Sequence, residues 1–182
     1  MLALALLPAV LAVPGCNRPV PPSGDAASVA PPLGEESEVA RFFRLGPPQT
    51  GSSRAAIMST LGEPDSVESV TVANRHDPSV TDSIFTLHYD GISAVVYRAG
   101  YDGKEILVAL DITDARHLQA SAPVRIGTTS EDVVATLGEP SGSSAEHLEY
   151  TCEECLISGH ETVRFLLHRG AVSRIEVRYW ID

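Results

Sequence analysis

The feature that most restricts what this chain can fold into is an internal repeat, the first thing to seek before any element is assigned. Residues 51–64, G-S-S-R-A-A-I-M-S-T-L-G-E-P, align without a gap on residues 127–140, G-T-T-S-E-D-V-V-A-T-L-G-E-P, and one offset of 76 residues takes Leu61 to Leu137. Each copy carries the punctuation of a short helix. A serine or threonine after the opening glycine can cap the first turn, and Thr129 with Asp132 three residues on approximates a capping box. Ile57, Met58 and Leu61, matched by Val133, Val134 and Leu137, share a face. Gly62 and Gly138 then end the helix, with Pro64 and Pro140 just beyond. Helices this short are marginal alone and need something to pack on.

The same offset aligns Ser37, Val39, Phe42 and Phe43 with Thr113, Ala115, Leu118 and Gln119, so each copy is expected to open with two short helices. The segments after each L-G-E-P are strand-like: Val67 to Ala73, Ile84 to Tyr89, Ile92 to Tyr97 and Glu105 to Ile112, then His147 to Cys152, Thr162 to Leu167 and Ala171 to Trp180. The expected fold is therefore α+β: a tandem of two units, residues 37–112 and 113–182, each two short helices followed by antiparallel strands, with the helices on one face of the sheet.

Register can be argued from the pattern, because a slip of one residue exchanges the two faces of a strand. A two-residue Asp90-Gly91 turn puts Phe85, Leu87, Tyr89, Ile92, Ala94 and Val96 on the core side. In the second copy a two-residue turn would set Phe165 opposite Arg174. A three-residue His168-Arg169-Gly170 loop is expected instead, aligning Val163, Phe165, Leu167, Ala171, Ser173, Ile175 and Val177. The opposite face then carries Arg164, Arg174, Glu176, Arg178 and Trp180. Arginine and tryptophan are enriched among interface hot spots, so Arg164, Arg174, Arg178 and Trp180, with Tyr97, form the candidate partner-binding surface. A solvated strand face balanced by Glu176 and neighbouring acids is the plain alternative.

The amino terminus has a different character. Leu2 to Val13 is an apolar run only about 18 Å long as a helix, against roughly 30 Å of bilayer hydrocarbon, so it suits a signal-peptide core rather than a transmembrane helix. It closes on Val13-Pro14-Gly15-Cys16, which resembles the bacterial lipobox. That resemblance implies cleavage after residue 15 and acylation of Cys16, where two or more chains give stable anchoring and one does not. Asn17, where retention in the inner membrane usually shows Asp, points by the same resemblance to the outer membrane. An ordinary secretory leader with an incidental Cys16 is the alternative. Residues 16–36 contain Pro19, Pro21, Pro22, Pro31 and Pro32 and no apolar periodicity. They read as a tether reaching between about 25 and about 60 Å.

The repeat also resembles known families. The glycine, hydroxyl residue, apolar helix and L-G-x-P followed by antiparallel strands are similar to the SmpA/OmlA/BamE group of small outer-membrane lipoproteins, and two units in tandem look like the β-lactamase inhibitor protein. The likeness covers about residues 37 to 182. It implies a scaffold that binds proteins, one relative in outer-membrane assembly and the other in enzyme inhibition, without specifying the partner.

Chemistry-bearing motifs are sparse. A net charge of −11 argues against nucleic acid or an anionic lipid face as the partner. Cys152 and Cys155 admit three readings. An exported compartment favours a disulfide, and residues three apart across a turn lie close enough for one. Zinc would need two further ligands from His147, His160, Glu153 and Glu154. A redox pair wants a strand-to-helix context, and two intervening glutamates would raise the thiol pKa values. The six histidines are scattered, no nucleophile elbow or phosphate loop is present, and no catalytic residue, metal or cofactor is expected. The reading is thus a lipid-anchored, non-catalytic protein-binding module of the bacterial cell envelope, with an inhibitor of a periplasmic or secreted enzyme as the alternative. The partner is an envelope protein, and the membrane is met only through the N-terminal lipid.

Overall fold

In the computed structural model the described residues are 36–155 and 160–179, all within the unit Glu35–Asp182. The leader, Cys16, nearly all of the tether and Trp180 lie outside them. Ser37 caps α1 (Glu38–Leu45), its hydroxyl accepting the Ala40 N–H at 3.1 Å. Glu38 in the first turn and Arg44 in the last complement the helix dipole, and Gly46-Pro47-Pro48 ends the element. Ser53 caps α2 (Arg54–Leu61) and Thr129 caps α3 (Ser130–Leu137) in the same manner. The Thr129 hydroxyl also donates to the Asp132 carboxylate at 2.9 Å, so the acid closes on the capping hydroxyl rather than on the backbone N–H of a true capping box. Both L-G-E-P glycines hold nearly the same conformation, φ +86° at Gly62 and +85° at Gly138.

The strands are β1 (Ser66–Ala73), β2 (Thr81–Tyr89), β3 (Ile92–Arg98), β4 (Glu105–Ile112), β5 (Gly142–Ser143), β6 (His147–Cys152), β7 (Glu161–His168) and β8 (Ala171–Arg178). They form one antiparallel sheet of eight strands in the order β1-β2-β3-β4-β8-β7-β6-β5. The seam between the first four and the last four is β4–β8, where Ala109, Leu110, Asp111 and Ile112 face Arg178, Val177, Glu176 and Ile175. A single core lies along one face of this sheet. Phe42, Ile57, Val133 and Leu137 enter it from the helices, and Leu87, Val96, Leu110, Ile112, Val163, Phe165, Ile175 and Val177 from the strands. Phe42 meets Phe165 edge to face at 5.2 Å between ring centres.

This overturns the expected tandem α+β repeat of β-lactamase inhibitor type. The structure is mainly one continuous eight-stranded sheet with three short α-helices among the described residues, not two helix-then-strand units. The second half has no counterpart of α1; Ala115–His117 makes only a 3-10 turn capped by Asp114. The cause is tertiary. The N–H groups of Thr113 and Asp114 both donate to the Gly91 carbonyl in the β2–β3 turn, and Gln119 N–H donates to Gly46 O. Of these, the Gln119 N–H is the donor that a helix continuing through this turn would give to Ala115 O, and the neighbouring half takes it instead.

The β2–β3 register is the expected one, Tyr89 facing Ile92, Leu87 facing Ala94 and Phe85 facing Val96. The β7–β8 connection differs from expectation. It turns in two residues, Arg169 at φ +55° and Gly170 at φ +78°, as a tight hairpin prefers. Phe165 nevertheless faces Ile175, because the register shifts within the strands: Leu167 pairs with Val172 and Leu166 with Arg174, leaving Ser173 as the extra residue of a bulge. Ser173 is consequently exposed rather than on the core side, and Val172 is buried.

Candidate functional site

Three of the arginines read from the sequence as a binding surface do lie together on the outer face of the sheet. Each of them has a carboxylate partner. Arg164 reaches Glu149, its cross-strand neighbour, with Nε at 3.0 Å and the terminal nitrogen at 2.5 Å. Arg174 contacts Asp111 at 3.0 Å and Glu176 at 3.4 Å, and Arg178 contacts the same two acids at 3.3 and 3.4 Å. This face is locally neutral, with acids and arginines interleaved.

Tyr97 lies elsewhere, at the far end of β3. Its hydroxyl donates to Asp82 at 2.5 Å. The same carboxylate accepts Asn74 Nδ2 at 2.9 Å and the Gly100 N–H at 2.8 Å. Asn74 in turn accepts the N–H groups of His76 and Asp77, so one buried acid, 2% exposed, organises the β1–β2 turn and the β3–β4 turn together. The Tyr97 hydrogen bond, reinforced by those from Gly100 and Asn74 and opposed by burial, holds the Asp82 carboxyl below its ordinary range. The same bond to Asp82, with burial, pushes the Tyr97 hydroxyl up to about 12.

Cys152 and Cys155 stand at disulfide distance, Sγ to Sγ 2.06 Å with Cα atoms 5.4 Å apart. They are not arranged as a metal half-site, and among the described residues no group of three or more His, Cys, Asp or Glu side chains could hold a metal ion. No helix among the described residues is long and apolar enough to cross a membrane.

Two surfaces that sequence reasoning did not single out stand apart from these. The first is the outer edge of β1. All eight β1 residues pair with β2 in unbroken register, yet seven of the eight are exposed, Val67 at 51% and Val70 at 59%. The second is a cavity between α1, the 48–52 loop and the ends of β4 and β7, with Phe43, Leu107 and Tyr179 in its lining. The β1 residues were legible as a strand, but nothing in S-V-E-S-V-T-V-A says which strand will stand outermost. The cavity joins residues more than a hundred positions apart and leaves no local signal.

No protein-family model, curated protein or solved structure matches this chain.

Proposed function

We propose that this chain is a lipid-anchored, non-catalytic protein-binding module of the bacterial cell envelope, tethered through Cys16 to the periplasmic face of the outer membrane. Its docking element is the free edge of β1, and its partner contributes an extended segment that adds a strand there. The leader ending in Val-Pro-Gly-Cys supports the anchoring, as does the proline-rich stretch behind it. The likeness of the L-G-E-P motif to small outer-membrane lipoproteins is consistent with the same place.

The observation that carries the docking element is the contrast between the two sheet edges. Proteins blunt exposed edges with short strands, lysines, prolines or bulges, because an open edge invites another chain. The β5 edge is blunted: two residues long, paired only with Glu149 and Leu148, with the Ser141 hydroxyl donating to Glu149 O. The β1 edge has none of these devices. It is eight residues long, unbroken, free of lysine and proline, and bears one charge, Glu68. Strand addition satisfies its outward backbone groups and covers its valines.

A photo-reactive residue placed at Val70 tests this in the native envelope, with an identical probe at Arg164 as control. A defined adduct from position 70 that disappears when Val67 is changed to Lys supports the proposal. Adducts from Arg164 alone would sink it. A barrel-assembly component in the adduct favours the envelope role, whereas a hydrolase would turn the reading toward enzyme inhibition.

A further inference from the structure

The cavity beside α1 holds chemistry that strand addition at β1 does not use. Its volume is about 700 Å³, within the range of sites that take small molecules. Apolar atoms make most of its surface, and Phe43 and Tyr179 meet edge to face at 6.4 Å between ring centres. Such an arrangement leaves aromatic surface to face a ligand.

The charges on the wall are unequal. Three acids, Glu36, Glu154 and Glu161, stand there with one base, Arg44. Arg44 is committed, since its Nε and a terminal nitrogen grip the two oxygens of Glu36 at 2.8 and 2.5 Å. That fork sets Glu36 against Arg44, and Glu154 stands as the carboxylate of the wall that a ligand's charged head can reach. Glu154 accepts the Ser37 N–H at 2.8 Å through one oxygen, which ties it to the start of α1 and fixes the carboxylate at the rim. Glu161, also on the wall, is buried, 1% exposed. Burial and the nearby Glu161 carboxylate both push the Tyr179 hydroxyl up, which keeps that ring neutral.

We infer that this cavity binds a small amphiphilic cation, with an apolar body against Phe43, Leu107 and Tyr179 and an ammonium or amidinium head toward Glu154. An anion of the same shape would meet the Glu154 carboxylate. A neutral molecule would gain the apolar contact but neither the carboxylate nor the attraction of aromatic faces for a cation. The cavity shares no residue with β1, and β2 and β3 stand between β1 and β4 in the sheet, so its occupancy is separable from the docking proposed above.

The test uses three probes of one shape, 2-phenylethylamine, 2-phenylethanol and phenylacetate, titrated at neutral pH into the full chain purified in detergent. Binding is read by calorimetry and by amide shifts of Gly51 and Ser52. The expected result is saturable binding of the amine at least tenfold tighter than the alcohol, with no saturation by phenylacetate. Glu154→Gln keeps an oxygen for the Ser37 N–H and is expected to weaken the amine at least threefold while leaving the alcohol unchanged. Equal affinity for amine and alcohol would overturn the inference. So would an amine that fails to bind at about ten millimolar, or whose affinity the substitution leaves unchanged. If Glu154→Gln fails to fold, the three-probe comparison on the natural chain decides alone.

Discussion

Asp111 and Glu176 face each other directly across the β4–β8 seam, and Arg174 and Arg178, flanking Glu176 on β8, each contact both carboxylates. Two acids in cross-strand register would repel, at the one place where the first four strands join the last four. The arginines convert that repulsion into a closed quartet. Its acids are 19% and 15% exposed and its bases 42% and 43%, so the carboxylates sit below a lid of guanidinium groups.

The quartet predicts non-additivity. Arg174→Ala or Arg178→Ala alone leaves the other arginine between the acids and costs roughly 0.5–1 kcal/mol. Together they leave two facing, half-sheltered carboxylates, and the double variant should exceed the summed singles by about 1 kcal/mol. Urea unfolding of the four proteins in the cycle measures the excess, and simple additivity would show that the pairs act independently. Arg164→Ala, which breaks one exposed pair with Glu149, should change stability by less than about 1 kcal/mol.

The Tyr97–Asp82 hydrogen bond predicts two pH limits. Asp82 is lowered in the folded state, so its contribution is present above its unfolded pKa and is lost as pH falls through the lower folded value. Tyr97 is raised from its ordinary 10 to about 12, so its contribution is complete below pH 10 and is lost as pH climbs toward 12. Other tyrosines here are raised as well, which makes the difference curve the quantity to measure. The stability gap between the natural chain and Tyr97→Phe should be widest near neutrality and narrow over pH 10–12. A gap that stays constant through that window would show that the hydroxyl does not titrate with folding.

Two hairpin glycines should respond unequally to alanine. Gly170, at φ +78° with no atom near an added Cβ, meets only the left-handed backbone cost of roughly 1–2 kcal/mol. At Gly91, φ +82°, the same Cβ would fall 2.5 Å from Asp114 Cβ, in the segment whose N–H groups the Gly91 carbonyl holds. Gly91→Ala should therefore be the more destabilising in chemical denaturation. Equal costs would mean that the 113–117 segment yields freely.

The Cys152–Cys155 bond closes a very short loop, and loop-closure entropy assigns such a bond about 2 kcal/mol. Phe42, fully buried against Phe43 and Phe165, should cost about 3–5 kcal/mol on change to alanine. Reducing the disulfide should thus leave a folded protein with a modestly lower urea midpoint, and Phe42→Ala should lower it further. The reverse order would make the disulfide, not the aromatic core, the main restraint on this end of the sheet. Separately, incorporation of labelled palmitate that is abolished by Cys16→Ala checks the proposed anchor, and labelling that survives the substitution would reject it.

Local chemistry determined much of this protein from sequence alone. Caps at Ser53 and Thr129, stops at Gly62 and Gly138, and the Asp90-Gly91 turn with the β2–β3 register it sets all depend on neighbours a few residues away. Tertiary structure decided the rest, because the deciding contacts are distant in the chain. Gly46 takes the Gln119 N–H that a second opening helix would need, Ser173 bulges so that a two-residue turn and the core register can coexist, and the arginines of the outer face find Asp111 on a strand from the other half. Which strand ends the sheet, and which distant side chains enclose the cavity, depend on how the strands pair, and that is a property of the whole chain rather than of any segment.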